Sequence, residues 1–236
     1  MRLAPEPPAL LSRLEPERAR PIVDDLRRAG LAVLSVPSNC PTDKDRLVAR
    51  TVIFDQGSVT FTSRLGESMS IAWADVLAVL RGLRSARSEV TRTERRTKLS
   101  LTRGVLTGGL VLRRTSVNTV RSTEEATEQV ILVYTRQGGA ALLSERELDF
   151  SCLGRSMQPS STGNMAELAR RLRECAKAAF YDERLLRLGR RPLPFTSLVE
   201  HQPSAVAGTA RCVETTRVLD TLAEVMRRAL SEGLLP

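Results

Sequence analysis

The chain has 236 residues, 42% apolar and 27% charged, enough for one large globular domain or two small ones. It carries a formal charge of +9, and its single histidine and four scattered cysteines (Cys40, Cys152, Cys175, Cys212), with no C-x-x-C, leave almost nothing for a Cys/His metal site. No run of 18 apolar residues exists and the start, MRLAPEPPALL, lacks a signal-peptide core, so a cytoplasmic protein without a transmembrane segment and with reduced thiols is expected.

Residues 9–14, ALLSRL, have the length of a short strand. Glu15 to Ala29 reads as a helix. Pro16 fits the first turn, Glu15 and Glu17 suit the positive start, Arg27 and Arg28 suit the negative end, and Gly30 is a natural stop. Pro21 either interrupts this helix or marks its start. Residues 31–36, LAVLSV, are again of strand length, so residues 1–38 are expected to form a β-α-β unit.

A strand-rich stretch follows. Val48 to Phe54 is β-branched and apolar, Asp55-Gln56-Gly57 signals a turn, and Val59, Phe61 and Ser63 alternate with polar neighbours. Leu65-Gly66-Glu67 turns once more before the alternation Met69, Ile71, Trp73, which places Trp73 in the core. Asp75 either caps a short helix or opens a strand through Leu80. Residues 81–97 are polar at both periods and suit a projecting ribbon or a disordered loop. Gln129 to Tyr134, QVILVY, is a continuous apolar run expected to be a central strand, with a short one at Ala140 to Leu143. Ser160, Ser161 and Thr162 offer caps for a helix from Asn164 to Phe180, with Met165, Leu168 and Leu172 on one face. Arg190 to Gly208 is Pro-rich and reads as a linker. A last helix is expected from Glu214 to Leu230. Its apolar stripe, from Val218 to Leu230, either docks on the body of the protein or meets a partner or a second copy, as in a homodimer.

The expected fold is therefore α+β. An antiparallel β-rich core, a small barrel or sandwich over residues 39–188, carries a basic insertion at 81–121 and is closed by a helix. A linker and an amphipathic helix fill residues 189–236. Strands followed by a closing helix resemble the element order of pleckstrin-homology-like domains.

Residues 81–121 hold ten arginines and Lys98 against Glu89 and Glu94, while the remaining residues sum to zero charge. A neutral body with one strongly positive segment points to an anionic partner, because arginine forks bind phosphate and carboxylate oxygens bidentately. The candidate polyanion-binding residues are Arg84, Arg87, Arg92, Arg95, Arg96, Arg113 and Arg114. No Phe, Trp or Tyr occurs in this segment, which disfavours base stacking on single strands and leaves backbone-type contact with nucleic acid. Glu124, Glu125 and Glu128 are acids that could neutralise the arm across a hairpin.

Catalytic signals are absent. His201 lies in the Pro-rich stretch, Gly104 to Gly109 lacks the G-K-[ST] of a phosphate loop, and the adjacent pairs Asp24-Asp25, Glu124-Glu125 and Asp182-Glu183 face apart. No cofactor or metal is expected.

Asp149-Phe-Ser151-Cys-Leu-Gly154 resembles the D-x-S-x-x-G of PilZ domains, and Arg92-Thr-Glu-Arg-Arg96 resembles their R-x-x-x-R, a pattern that recurs here at 46/50 and 187/191. That resemblance implies cyclic di-GMP held by Arg92 and Arg96 at its phosphates and guanines, with Asp149, Ser151 and Gly154 completing the site. The favoured expectation is a non-catalytic regulatory or scaffold protein that binds an acidic protein or a phosphate-bearing ligand through 81–121. A PilZ-type sensor or a nucleic-acid backbone binder is the alternative.

Overall fold

The computed structural model describes the backbone of residues 8–9, 11–99, 113–190, 197–201 and 210–235, and the side chains of 8–9, 11–84, 127–188 and 215–235. The chain divides into two units: Met1–Ser85, Thr127–Thr196 and Thr215–Pro236 form the first, and Ala86–Ala126 with Ser197–Glu214 the second.

The first unit is organised by a mixed sheet. Strands β1 (Leu47–Phe54), β2 (Ser58–Ser63) and β3 (Ser68–Ala72) form an antiparallel meander. Its second turn needs Gly66, whose φ of 86° is open only to glycine at little cost. Strands β4 (Val76–Leu99), β5 (Arg113–Thr135) and β6 (Ala140–Ser144) follow, with β5 antiparallel to β6. The two groups join where β1 runs parallel to β6, Leu47 to Ala49 lying beside Ala141 to Leu143. A short β7 (Phe180–Asp182) runs parallel to β4 at Ala78 to Leu80. The order in this unit is thus β3-β2-β1-β6-β5-β4-β7. The α+β class holds, but the sheet is open: β3 and β7 do not pair, and the expected barrel closure is not formed among these strands.

Period-2 alternation splits the core between the two faces of this sheet. Ile131 and Val133 of β5, with Ala141 and Leu143 of β6, face helix α2 (Ser161–Cys175) through Met165, Leu168, Ala169 and Leu172. Val130, Leu132 and Tyr134, with Ala140 and Leu142, face helix α3 (Thr216–Ser231) through Val218, Leu219, Leu222 and Met226. Coverage on both faces explains why QVILVY is apolar without alternation. The apolar stripe of the last helix docks on the body of the protein through Val218, Leu219, Leu222 and Met226. Gly82 permits the close approach of α3: a Cβ there would lie 2.4 Å from Leu219 Cδ1.

Helix α2 starts one turn earlier than expected, capped by Ser160 Oγ, which accepts from Gly163 N at 3.1 Å. It also ends sooner. Ala176 leaves helical geometry, and Phe180, expected to end the helix, opens β7 (Phe180–Asp182).

Helix α1 (Pro16–Arg28) agrees with the sequence reading and keeps Pro21 within it. Gly30, at φ 83°, and Leu31 close it, Leu31 N donating to Leu26 O at 3.0 Å. The flanking segments 9–14 and 31–36 form no strand where they are described, so the expected β-α-β unit is not present. Leu11 and Leu31 are exposed, and an apolar run without a neighbouring strand has no ladder to join.

In the second unit, β9 (Ala210–Glu214) pairs antiparallel with Ala86 to Val90 of β4, and β8 (Ser197–His201) pairs antiparallel with β9. This hairpin replaces part of the expected linker. Residues 81–97, expected as ribbon or loop, are strand.

Candidate functional site

The basic segment begins inside the first unit, and there the expectation fails. Arg84, placed by sequence on the contact surface, is 8% exposed. Its guanidinium forks onto Asp43, with Nη1 donating to Oδ2 at 2.8 Å and Nη2 to Oδ1 at 2.6 Å. Arg81 is also engaged, donating to Gln129 Oε1 at 2.7 Å and to Glu183 Oε1 at 3.2 Å. Arg84 belongs to β4 at a position facing the protein interior, so its charge is spent within the fold.

Arg87, Arg92, Arg95 and Arg96 lie on β4, and Arg113 and Arg114 on β5, within stretches whose side chains lie outside the described residues. Residues 85–121 still hold nine basic residues against Glu89 and Glu94. Of the three acids expected to neutralise them, Glu128 is described: among the described residues it accepts from the Ser144 hydroxyl and from Arg146 N at 3.4 Å.

Sequence reasoning missed a buried ionic cluster. A 3-10 turn at Asp43–Asp45 is tied down by Asp45 Oδ2, which accepts from Thr42 N at 2.8 Å and from Thr42 Oγ1 at 3.0 Å. That turn presents Asp43 to Arg84, and 3.6 Å away to Arg46. Arg46, just before β1, donates to Asp220 of α3 at 2.5 Å and to Pro41 O at 2.8 Å. Asp220 also lies 3.9 Å from Arg84. One turn along α3, Glu224 is 2% exposed and accepts from Arg227 and Arg228 at 2.7 Å each. Burial pushes the Asp220 carboxyl above its ordinary value, and the two arginines pull it back only in part. Burial pushes the Tyr134 hydroxyl up to about 12, and that hydroxyl has no hydrogen-bond partner. The visible signal was the pair Asp220 and Glu224, spaced by one helical turn beside the apolar stripe of α3.

The D-x-S-x-x-G segment forms a 3-10 helix (Phe150–Ser156) whose first turn Asp149 caps, Oδ1 accepting from Ser151 N at 2.9 Å. Gly154 sits at φ 52°, and Asp149 N donates to Arg50 O at 2.7 Å. Asp149, Ser151 and Gly154 belong to the first unit, Arg92 and Arg96 to the second. The R-x-x-x-R beside Asp149 is the one at 46/50, and its Arg46 is the buried partner of Asp220. Arg171 bonds the Cys152 carbonyl at 2.7 Å and lies 4.2 Å over the Phe54 ring. Phe54 in turn stacks on Trp73 at 6.0 Å. Trp73 follows β3 in a 3-10 turn and is partly buried, its Nε1 donating to Asp55 O at 3.2 Å.

An open groove of about 630 Å³ lies elsewhere in the first unit. Its lining includes Arg136, Arg173 and Lys177, none of them singled out by sequence, together with Leu77, Phe180 and Leu230.

Among the described residues no group of three or more His, Cys, Asp or Glu could hold a metal ion, and no helix is long and apolar enough to cross a membrane. Compared with known proteins, the chain matches no family model, no curated protein and no solved structure.

Proposed function

We propose that this is a non-catalytic regulatory or scaffold protein that binds an acidic or phosphate-bearing partner through the basic run from Arg87 to Arg121. The observation that carries the reading is the segregation of charge: nine basic residues against two acids in 85–121, on a chain otherwise close to neutral. The acids of the first unit support it. Asp43, Asp220, Glu183 and Glu224 are held by their own arginines, and Glu128 is held by Ser144 and Arg146. Binding would rest on Coulomb attraction and charge-assisted hydrogen bonds, so it should weaken steeply with salt. The capping role of Asp149 and the burial of Arg46 do not favour the cyclic di-GMP alternative.

The test is titration of inorganic polyphosphate and polyglutamate into the wild type and into Arg92→Ala/Arg95→Ala/Arg96→Ala at several salt concentrations. Binding by the wild type with a steep salt slope, and a shallower slope with roughly tenfold or weaker affinity in the variant, is the expected result. Equal affinity and slope for the two proteins, or no binding of either probe at low salt, would sink the reading.

A further inference from the structure

The groove near the end of α2 has the size of a small-molecule site and a lining charged with one sign. Its cations come from three separate segments: Arg136 from the β5–β6 turn, Arg173 from the last turn of α2, and Lys177 from the loop before β7. All three are exposed, and no carboxylate belongs to the described lining. Two are already held in place, since Arg136 Nε donates to Ala74 O at 3.1 Å and the Arg173 guanidinium sits 4.8 Å over the Tyr181 ring. The acids that adjoin this wall in sequence are engaged by other groups: Glu174 by Arg170, Asp182 by Arg184, and Glu183 by the Tyr181 hydroxyl and Arg81. The lining also includes Leu77, Phe180, Leu230 and Leu235. The accessible lining is more polar than apolar, with apolar side chains beside the preplaced cations, so it selects first for charge at one end of a ligand and offers a smaller apolar surface to the other.

We infer that this groove binds a small amphiphilic anion, a phosphate or carboxylate head on a compact apolar body. The head is held by Arg136, Arg173 and Lys177, and the body lies on Phe180 and the leucines. None of these named residues belongs to the basic run from Arg87 to Arg121.

Octyl phosphate, octanol and inorganic phosphate serve as probes, titrated by calorimetry. They are tested on the wild type, on Arg173→Glu/Lys177→Glu, and on the charge-matched control Arg18→Glu/Arg20→Glu in exposed α1 positions. Octyl phosphate should bind the wild type and the control alike, at least roughly tenfold tighter than either other probe, and bind the groove variant at least roughly tenfold more weakly. Equal binding of octyl phosphate to wild type and groove variant, or equal affinity for octanol, overturns the inference. The Arg92→Ala/Arg95→Ala/Arg96→Ala variant separates the two sites. It should keep octyl phosphate binding, and a loss there would assign that binding to the basic run and overturn the groove.

Discussion

Arg46 and Asp220 meet at 2.5 Å with their side chains only 0% and 5% exposed, which pins the residue before β1 to the C-terminal helix. Burying two charges is costly, and removing one partner leaves the other uncompensated. Asp220→Ala should therefore lower stability by about 3–5 kcal/mol, whereas Arg46→Met/Asp220→Leu should cost clearly less than Asp220→Ala alone. Urea unfolding of the three proteins checks this. A double variant as unstable as the single one would mean that packing, and not stranded charge, dominates.

Gly82 of β4 lies directly against Leu219 of α3. A methyl there meets Leu219 Cδ1 at 2.4 Å and Leu185 Cβ at 3.3 Å. Gly82→Ala should cost about 1–3 kcal/mol by overpacking, and Leu219→Ala in the same chain should recover part of that loss. Thermal melts of the single and double variants measure the coupling.

Acid should destabilise the first unit through its glutamates. Burial alone would raise the Glu224 carboxyl, but hydrogen bonds from Arg227 and Arg228 hold it below its ordinary value. A carboxyl whose folded pKa lies below its unfolded one adds stability at neutral pH and loses it as pH falls through the folded value. Glu145 is lowered too, by Ser161, Gln129 N and Thr162, and Glu183 by the Tyr181 hydroxyl and Arg81. Asp220 has the opposite sign, because burial raises it and protonation then favours the fold. Glu224→Gln should be less stable than wild type at neutral pH, with the gap narrowing below about pH 4.5, as urea midpoints across that range will show. A constant gap would contradict the linkage.

Asp149 and Ser160 are both caps. Asp149→Ala and Ser160→Ala should each cost about 0.5–2 kcal/mol, seen in urea midpoints. If Asp149→Ala left stability unchanged, the cap would be energetically idle and a ligand-binding role for that carboxylate would regain force.

Much of the first unit was legible. QVILVY reads as central because both faces of β5 are covered, and Ser160 falls where a cap belongs before the stripe Met165, Leu168, Leu172. The misses share a physical cause. The segments at 9–14 and 31–36 look like strands, but pairing is non-local, and a short apolar run cannot show whether a neighbour exists. Conversely, SLVEH and ARCVE are too short to stand out among prolines, and they form strands because Ala86 to Val90 of β4 offers an edge. The sites failed similarly. The charge count placed Arg84 on the surface, yet Asp43 lies 41 positions earlier and folds onto it. Arg136, Arg173 and Lys177 are unremarked arginines and a lysine until the chain brings them round one hollow.

The parallel pairing of β1 with β6 also bears on how the chain is made. Leu47 to Ala49 leave the ribosome well before Ala141 to Leu143 are synthesised. Until then the first meander exists with one flank of β1 uncovered, an open template for strands of other nascent copies. Closing that flank joins distant parts of the chain, a slow kind of contact, so productive folding is a race between completing translation and association with a neighbour.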